Sequence, residues 1–287
     1  MIDFCGIELR HPIVNGSGTF DAIAAQRAFG TLLREEFPFA AFVSKTITLE
    51  PRQGNPPPRL WETPAGMINS IGLPNRGLAG YLEHDLPALA ELGVPLMTNV
   101  MGSSAEEFAT LVEAIGARGE VSAIELNVSC PNVATGLDIG ADPDGLLALL
   151  VALRPLTTKS LVVKLTPNAA DVAACARAAE AGGADAVSLI NTLRAMALHD
   201  GRPWLGAGTG GLSGPAVRPV AVAQVAAVAA SVAIPIVGMG GVASGRDAAE
   251  LLAAGATLVG VGTENFRDPA AGRRIAAELE EISSQSA

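Results

Sequence analysis

The chain has 287 residues, 49% of them hydrophobic and 17% charged, and a formal net charge of −10. That length buries a large core and fits one large α/β barrel or two small domains. The acidic balance, with no Lys/Arg cluster, argues against a nucleic-acid partner, which needs a basic patch, but leaves room for a small anion held by a few buried cations.

Residues 1–12 show no basic stretch followed by an apolar one, so no signal peptide is expected. Apolar runs then recur at 13–15, 42–45, 95–100, 123–127, 161–165, 186–191, 235–240 and 258–263. Near-continuous apolar strands of this kind belong to parallel sheets buried on both faces. Helical patterns at 104–116, 144–156, 171–182, 216–230, 244–255 and 268–282 fill the gaps. The first opens with a cap at Ser103 or Ser104 and acidic residues in its first turn, and several end in Ala-Gly, a C-cap signal. Eight β-then-α units predict a single (β/α)8 TIM barrel over residues 1–287, a fold of about 250 residues.

The uncharged run 220–241 is long enough to suggest a membrane span. Gln224, Ser231 and Pro235 interrupt it, and it reads instead as a helix followed by a buried strand. The three cysteines (Cys5, Cys130, Cys175) lack paired spacing, which predicts a reduced, cytoplasmic compartment rather than a disulfide framework. Cys175 falls inside a helical pattern and reads as core. His11, His84 and His199 are scattered, so no metal site is expected. Two connections are long, 46–90 after the second strand and 193–214 after the sixth, and loops of that length in a compact domain are usually functional.

The strand ends carry the chemistry. Asn15, Lys45, Asn99, Asn127, Lys164, Asn191, Gly240 and Thr263 stand at the C-terminal ends, where barrels of this type place their sites. A ring of amides both donates and accepts, which suits a planar heterocycle with alternating N–H and C=O edges. Each Asn alone is equally well a turn former or cap. The strand 123–127 runs on into Val128-Ser129-Cys130-Pro131-Asn132; Pro131 stops it, and a loop follows through Gly136 and Gly140. A thiol at the base of a loop meets a substrate and is then covered, whereas an isolated Cys is more often buried packing. Buried Lys45 and Lys164 would either pair with a strand-end carboxylate such as Glu125, stabilise an anion or electron-rich ring, or form a Schiff base.

Gly238-Met-Gly-Gly-Val242 and Gly260-Val-Gly-Thr263 end the last two strands and open onto helices, the usual phosphate site of this fold. Gly206-Ala-Gly-Thr-Gly-Gly211 fits a dinucleotide fingerprint in letters only. No good strand precedes it, and Gly214-Pro215 follows in place of a continuous helix.

Ser17-Gly-Thr-Phe20, Ser44-Lys-Thr46, Gly54-Asn-Pro, Asn69-Ser-Ile-Gly-Leu-Pro-Asn75, Asn127-Val-Ser-Cys-Pro-Asn132, Lys164-Leu-Thr-Pro-Asn168, Ile190-Asn-Thr192, Thr209-Gly-Gly-Leu-Ser-Gly-Pro215 and Gly238-Met-Gly-Gly241 occur in this order. In these motifs the chain resembles the class 1 dihydroorotate dehydrogenases over essentially its full length. The resemblance implies a barrel with one FMN that oxidises (S)-dihydroorotate to orotate in pyrimidine biosynthesis. It implies that Cys130 removes the C5 proton while the C6 hydride passes to flavin N5. It makes Lys45, Asn69, Ser70, Ile71, Gly72, Leu73, Asn127, Asn191 and Thr192 substrate contacts. Ser17, Lys45, Thr46, Asn99, Asn127, Lys164, Ile190, Gly214, Gly240, Gly241, Gly262 and Thr263 match flavin-binding positions, with Lys164 stabilising the reduced ring.

Pro64-Ala-Gly-Met67, Thr135-Gly136 and Gly140 are similar to the NAD-linked subclass 1B. That form joins a homodimeric core to an electron-transfer subunit carrying FAD and a 2Fe-2S cluster, in a heterotetramer. Three scattered cysteines cannot hold a cluster, so it would lie on the partner. The alternative is the fumarate-using homodimer of subclass 1A. Relatives carry Gly-Met-Arg just after the sixth strand where this chain has Arg194-Ala-Met196, which leaves the role of Arg194 open. Three readings from elsewhere compete: a dihydropyrimidine dehydrogenase-like flavin barrel, a Lys164 Schiff-base aldolase, and a non-catalytic phosphate-binding barrel.

Overall fold

The computed structural model describes residues 1–128 and 139–285. Ser129, Cys130, Pro131, Asn132, Thr135 and Gly136 therefore lie outside the described residues.

The apolar runs become eight strands: β1 (Ile13–Asn15), β2 (Phe42–Val43), β3 (Leu96–Val100), β4 (Ala123–Asn127), β5 (Ser160–Lys164), β6 (Ala186–Leu189), β7 (Ile236–Met239) and β8 (Leu258–Val261). Neighbours pair in parallel in the spatial order β1-β8-β7-β6-β5-β4-β3-β2. Helices α1 (Ala22–Phe29), α2 (Leu86–Ala90), α3 (Ala105–Gly116), α4 (Pro143–Leu153), α5 (Val172–Ala181), α6 (Arg218–Ala229), α7 (Gly245–Ala253) and α8 (Ala271–Gln285) alternate with them. This is the (β/α)8 barrel expected from the repeat of apolar runs.

The helices begin where the sequence supplies caps. Asp21, Ser104, Asp142, Asp171 and Ser244 each accept a first-turn backbone N–H. At α3 the Glu107 carboxylate also reaches back, accepting from Ser103 N, one residue before the cap, at 2.7 Å. Cys175 is fully buried on α5. The uncharged run 220–241 divides between α6 and β7. Among the described residues no helix is long and apolar enough to cross a membrane.

Two features position the site. At the N-terminal end of the barrel a hairpin, Ile2–Phe4 paired with Ile7–Leu9, inserts Phe4 and Leu9 against the inward-facing Val14, Val43, Met97, Ala123, Val162, Ala186 and Leu258. At the other end the two long connections meet. Leu60–Thr63 and Gly66–Asn69 from the first pair antiparallel with Gly210–Ser213 and Leu193–Ala195 from the second in one four-stranded sheet. Glycines allow the close approach: a Cβ on Gly66 would strike Ser213 O, and one on Gly210 would strike Asn69 O. Gly206, within the fingerprint-like run, packs instead on the backbone of Pro56 and Pro57.

β1 and β2, the two ends of the strand order, form no ladder with each other. The seam is closed by Asn15. Its amide nitrogen donates to Val43 O at 2.8 Å, and its amide oxygen accepts from Val43 N at 2.8 Å. One backbone bond, Ala40 N to Ile13 O at 2.9 Å, lies beside it. Asn15 is fully buried and is thus a structural member of the amide ring, not part of a ligand surface. Asn15→Ala leaves both backbone groups of Val43 unpaired in the interior, at about 1–3 kcal/mol for each. A loss of roughly 3 kcal/mol is expected, read from denaturant unfolding against the parent chain.

Candidate active site

The C-terminal ends of the strands surround one cavity of about 390 Å³, within the range of ordinary small-ligand sites. Ser17 comes from the loop after β1. Lys45 and Thr46 follow β2, and Asn127 and Lys164 end β4 and β5. Ile190, Asn191 and Thr192 follow β6. Asn69, Ile71, Gly72 and Leu73 descend from the first long connection, and Gly214 closes the second. Gly240 and Gly241 follow β7, and Gly262 and Thr263 follow β8. All of these line the cavity.

Two of the expected residues among those described, Ser70 and Asn99, do not. Cys130 lies outside the described residues. Ser70 is fully buried behind the wall, where its hydroxyl accepts from Asn55 Nδ2 at 2.9 Å; it shapes the 69–73 turn rather than facing a ligand. Asn99 sits one layer below the cavity floor. Its Nδ2 donates to Glu125, and its Oδ1 is buried without a hydrogen-bond partner.

The turn that carries Asn69 to Leu73 is tied from two sides. Asn75 donates to Leu73 O at 2.9 Å and accepts from Gly77 N at 2.8 Å. A Cβ on Gly72, at φ +75°, would lie 2.5 Å from Asn55 N. Across the floor, Asn127 Nδ2 donates to Thr46 Oγ1 at 3.3 Å, and Ser17 Oγ donates to Ser44 O at 2.8 Å. Thr263 Oγ1 donates to Ser213 Oγ at 2.9 Å, joining β8 to the inserted sheet. Gly16, Met67, Leu212, Ser213, Glu264, Phe266 and Arg267 also line the cavity. Of these, Met67, Leu212 and Ser213 stood within recognised motifs; the pairing of the two connections that brings them to the wall leaves no local mark.

The two lysines differ. Lys164 is buried at 7% exposure, and no carboxylate among the described residues lies within ion-pair distance of it. Glu125, the strand-end acid offered as one alternative partner for the lysines, is taken by Asn99 and by Ser188 Oγ at 2.7 Å. Lys45 is exposed by surface area, yet the surrounding protein holds its pKa below the ordinary lysine value. Desolvation is the main cause, which Asp21 opposes and Arg59 reinforces. Its ammonium end is therefore better shielded from water than its overall exposure suggests.

The opposite end of the cavity is bare backbone. The N–H groups of Gly240, Gly241, Gly262 and Thr263 donate to no acceptor among the described residues. Side chains are kept out of this corner: a Cβ on Gly241, at φ +75°, would come 2.7 Å from Arg218 Cβ and 2.9 Å from Gly214 O. Asp247 fixes the loop by pairing with Arg218 and accepting from Ala243 N at 3.0 Å. Converging free N–H groups beside the start of a helix are an anion site, best suited to a phosphate.

The sequence profile described as Dihydroorotate dehydrogenase matches residues 1–282. Curated relatives similar to the chain include the "Dihydroorotate dehydrogenase B (NAD(+)), catalytic subunit" of Geobacter metallireducens, 44% identical over 283 residues, covering 98% of this chain and 92% of the relative. The protein of the same description from Geobacter sulfurreducens is 44% identical, covering 97% and 91%. That from a Thermoanaerobacter species is 43% identical, covering 93% and 88%.

Gly241→Ala strains the backbone and crowds Arg218, so it is expected to cost about 1–3 kcal/mol. Thermal or denaturant unfolding of the variant checks this; an unchanged midpoint would show that the loop has another conformation.

Proposed function

Because the chain belongs to the dihydroorotate dehydrogenase family and oxidises dihydroorotate to orotate in pyrimidine biosynthesis, we propose that this cavity holds FMN and dihydroorotate together. The observation that carries this reading is a cavity with two chemically distinct ends. The free N–H groups of Gly240, Gly241, Gly262 and Thr263 suit a phosphate. The amides of Asn69, Asn127 and Asn191, with Lys45, suit an anionic heterocycle. The unpaired, buried amide oxygen of Asn99 fits an N–H edge of a ring lying above it.

FMN, when bound, supplies the acceptor for the C6 hydride. The protein's own part is to hold the substrate and move a proton. Asn69, Ser70, Ile71, Gly72 and Leu73 form a turn fixed by Asn55 and Asn75, so the substrate meets a preorganised edge. Cys130, three residues beyond Asn127 in the sequence, is the base for the C5 proton; a thiol of ordinary pKa near 8.5 supplies thiolate near neutral pH when its surroundings help. Lys164 places a cation under the ring, where it opposes the negative charge of the reduced form. The Schiff-base reading of Lys164 gives way to the family membership.

The relatives are named as catalytic subunits of an NAD(+) enzyme. By analogy this chain passes its electrons to NAD through a partner subunit carrying FAD and a 2Fe-2S cluster, from a homodimeric core in the cytoplasm. The reading takes residues 1–287 as one barrel domain.

The test is the anaerobic visible spectrum of the purified chain before and after L-dihydroorotate. A flavin band that bleaches is expected, followed by reoxidation with NAD only when the partner is present. A band that stays oxidised would remove the substrate assignment, and reoxidation by fumarate alone would move the chain to the homodimeric subclass. Cys130→Ala is expected to keep FMN and lose on the order of 10²–10⁴-fold in dihydroorotate oxidation; full activity at neutral pH would end the assignment of the base. Lys164→Ala is expected to lower the flavin reduction potential, and an unchanged potential would count against its role.

A further inference from the structure

Three acidic or basic side chains are buried among the described residues: Glu125, Lys164 and Asp247. Asp247 pairs with Arg218. Glu125, at 3% exposure, is held only by neutral donors, Asn99 Nδ2 and Ser188 Oγ. Lys164 has no ion-pair partner among the described residues. The barrel interior thus contains one acid and one base that do not touch. Burying either charge without compensation is costly, and an opposite charge in the same low-dielectric interior lowers that cost.

The strand registers place them. Glu125 on β4 lies level with Asn99 on β3 and Val162 on β5. Lys164, two residues beyond Val162 and so on the same inner face, lies level with Asn127 on β4 and Ser188 on β6. The Glu125–Ser188 hydrogen bond therefore spans from β4 to β6 across the inner face of β5, from the level of Val162 to that of Lys164. The carboxylate also selects the orientation of Asn99. A carboxylate only accepts, so it takes the NH2 end and leaves the amide oxygen as the group without a partner.

We propose that Glu125 is the buried counter-charge of Lys164 and a positioning residue for the reaction. It balances the cation that faces the flavin, and it presents Asn99 as an acceptor. This rests on the FMN reading of the cavity. With Glu125 ionised, Lys164 attracts the negative reduced ring less than it would alone, which keeps the bound flavin ready to pass its electrons on.

The experiment is the midpoint potential of FMN in the holoenzyme and in Glu125→Gln, by anaerobic dye equilibration. Loss of the counter-charge is expected to favour the reduced flavin about tenfold, a rise of roughly 30 mV for a two-electron couple. Ser188→Ala removes a hydrogen bond and keeps the charge, so its potential is expected to stay within about a third of that shift. An unchanged or lowered potential in Glu125→Gln, or equal shifts in the two variants, would overturn the proposal. A second readout needs no flavin: thermal unfolding of Glu125→Gln, Lys164→Gln and the double variant. Paired charges require the double variant to be more stable than the sum of the single losses predicts, and to fold even if Glu125→Gln does not. Additive losses, or a double variant that also fails to fold, would overturn the pairing. Failure of the parent chain to take up FMN would instead bring down the cavity reading, leaving the charge pairing to be judged by the unfolding data.

Discussion

The barrel depends on one side-chain amide at the place where its first and last paired strands meet without a ladder. A backbone ladder joins neighbouring strands from β2 round to β1, and Asn15 supplies both missing bonds to Val43 at the gap. A side-chain amide carries a donor and an acceptor side by side on one planar group, and Asn is shorter than Gln. Closure sets the relative height of every strand end, and the cavity is built from those ends. Ser17 and Lys45, on either side of the seam, line the same cavity because this bond holds β1 and β2 together.

The interior is layered. The N-terminal hairpin seals one end with Phe4 and Leu9, and aliphatic side chains fill the next layer. Above them lie Asn99 and Glu125, then the cavity floor with Asn127 and Lys164, with Ser188 level with the lysine. Polarity rises from one end of the barrel to the other, and Asn99 Oδ1, just beneath the floor, is one of four buried side-chain polar atoms among the described residues without a hydrogen-bond partner. An unanswered acceptor of that kind is costly in an apolar interior and points to a ligand group as its partner.

Much of this was legible in the sequence because it is local. Apolar runs marked all eight strands, and Ser104, Asp171 and Ser244 stood at the helix starts that they cap. The amide-rich strand ends and the late glycines named nearly the whole cavity wall. What the sequence hid is contact across distance. Nothing in the residues around Asn15 distinguishes an amide that bonds a neighbouring strand from one that faces a ligand, and Asn15 and Asn127 read alike. Ser70 sits inside the recognised turn yet points away from the cavity, because Asn55 claims its hydroxyl. The two long connections were each visible, but their union in one sheet depends on backbone pairing between segments more than a hundred residues apart, for which periodicity carries no signal.

That union bears on how such a protein changes through descent. Gly66 and Gly210 have no side chain because the opposite connection occupies the space. Neither segment is complete alone. A recombination event that exchanged one of them for a relative's, and kept the other, would bring together two surfaces shaped for different partners. The cavity roof therefore behaves as a single heritable module written in two separated stretches of the chain, and diversification of what the barrel accepts is expected to proceed by paired changes in both.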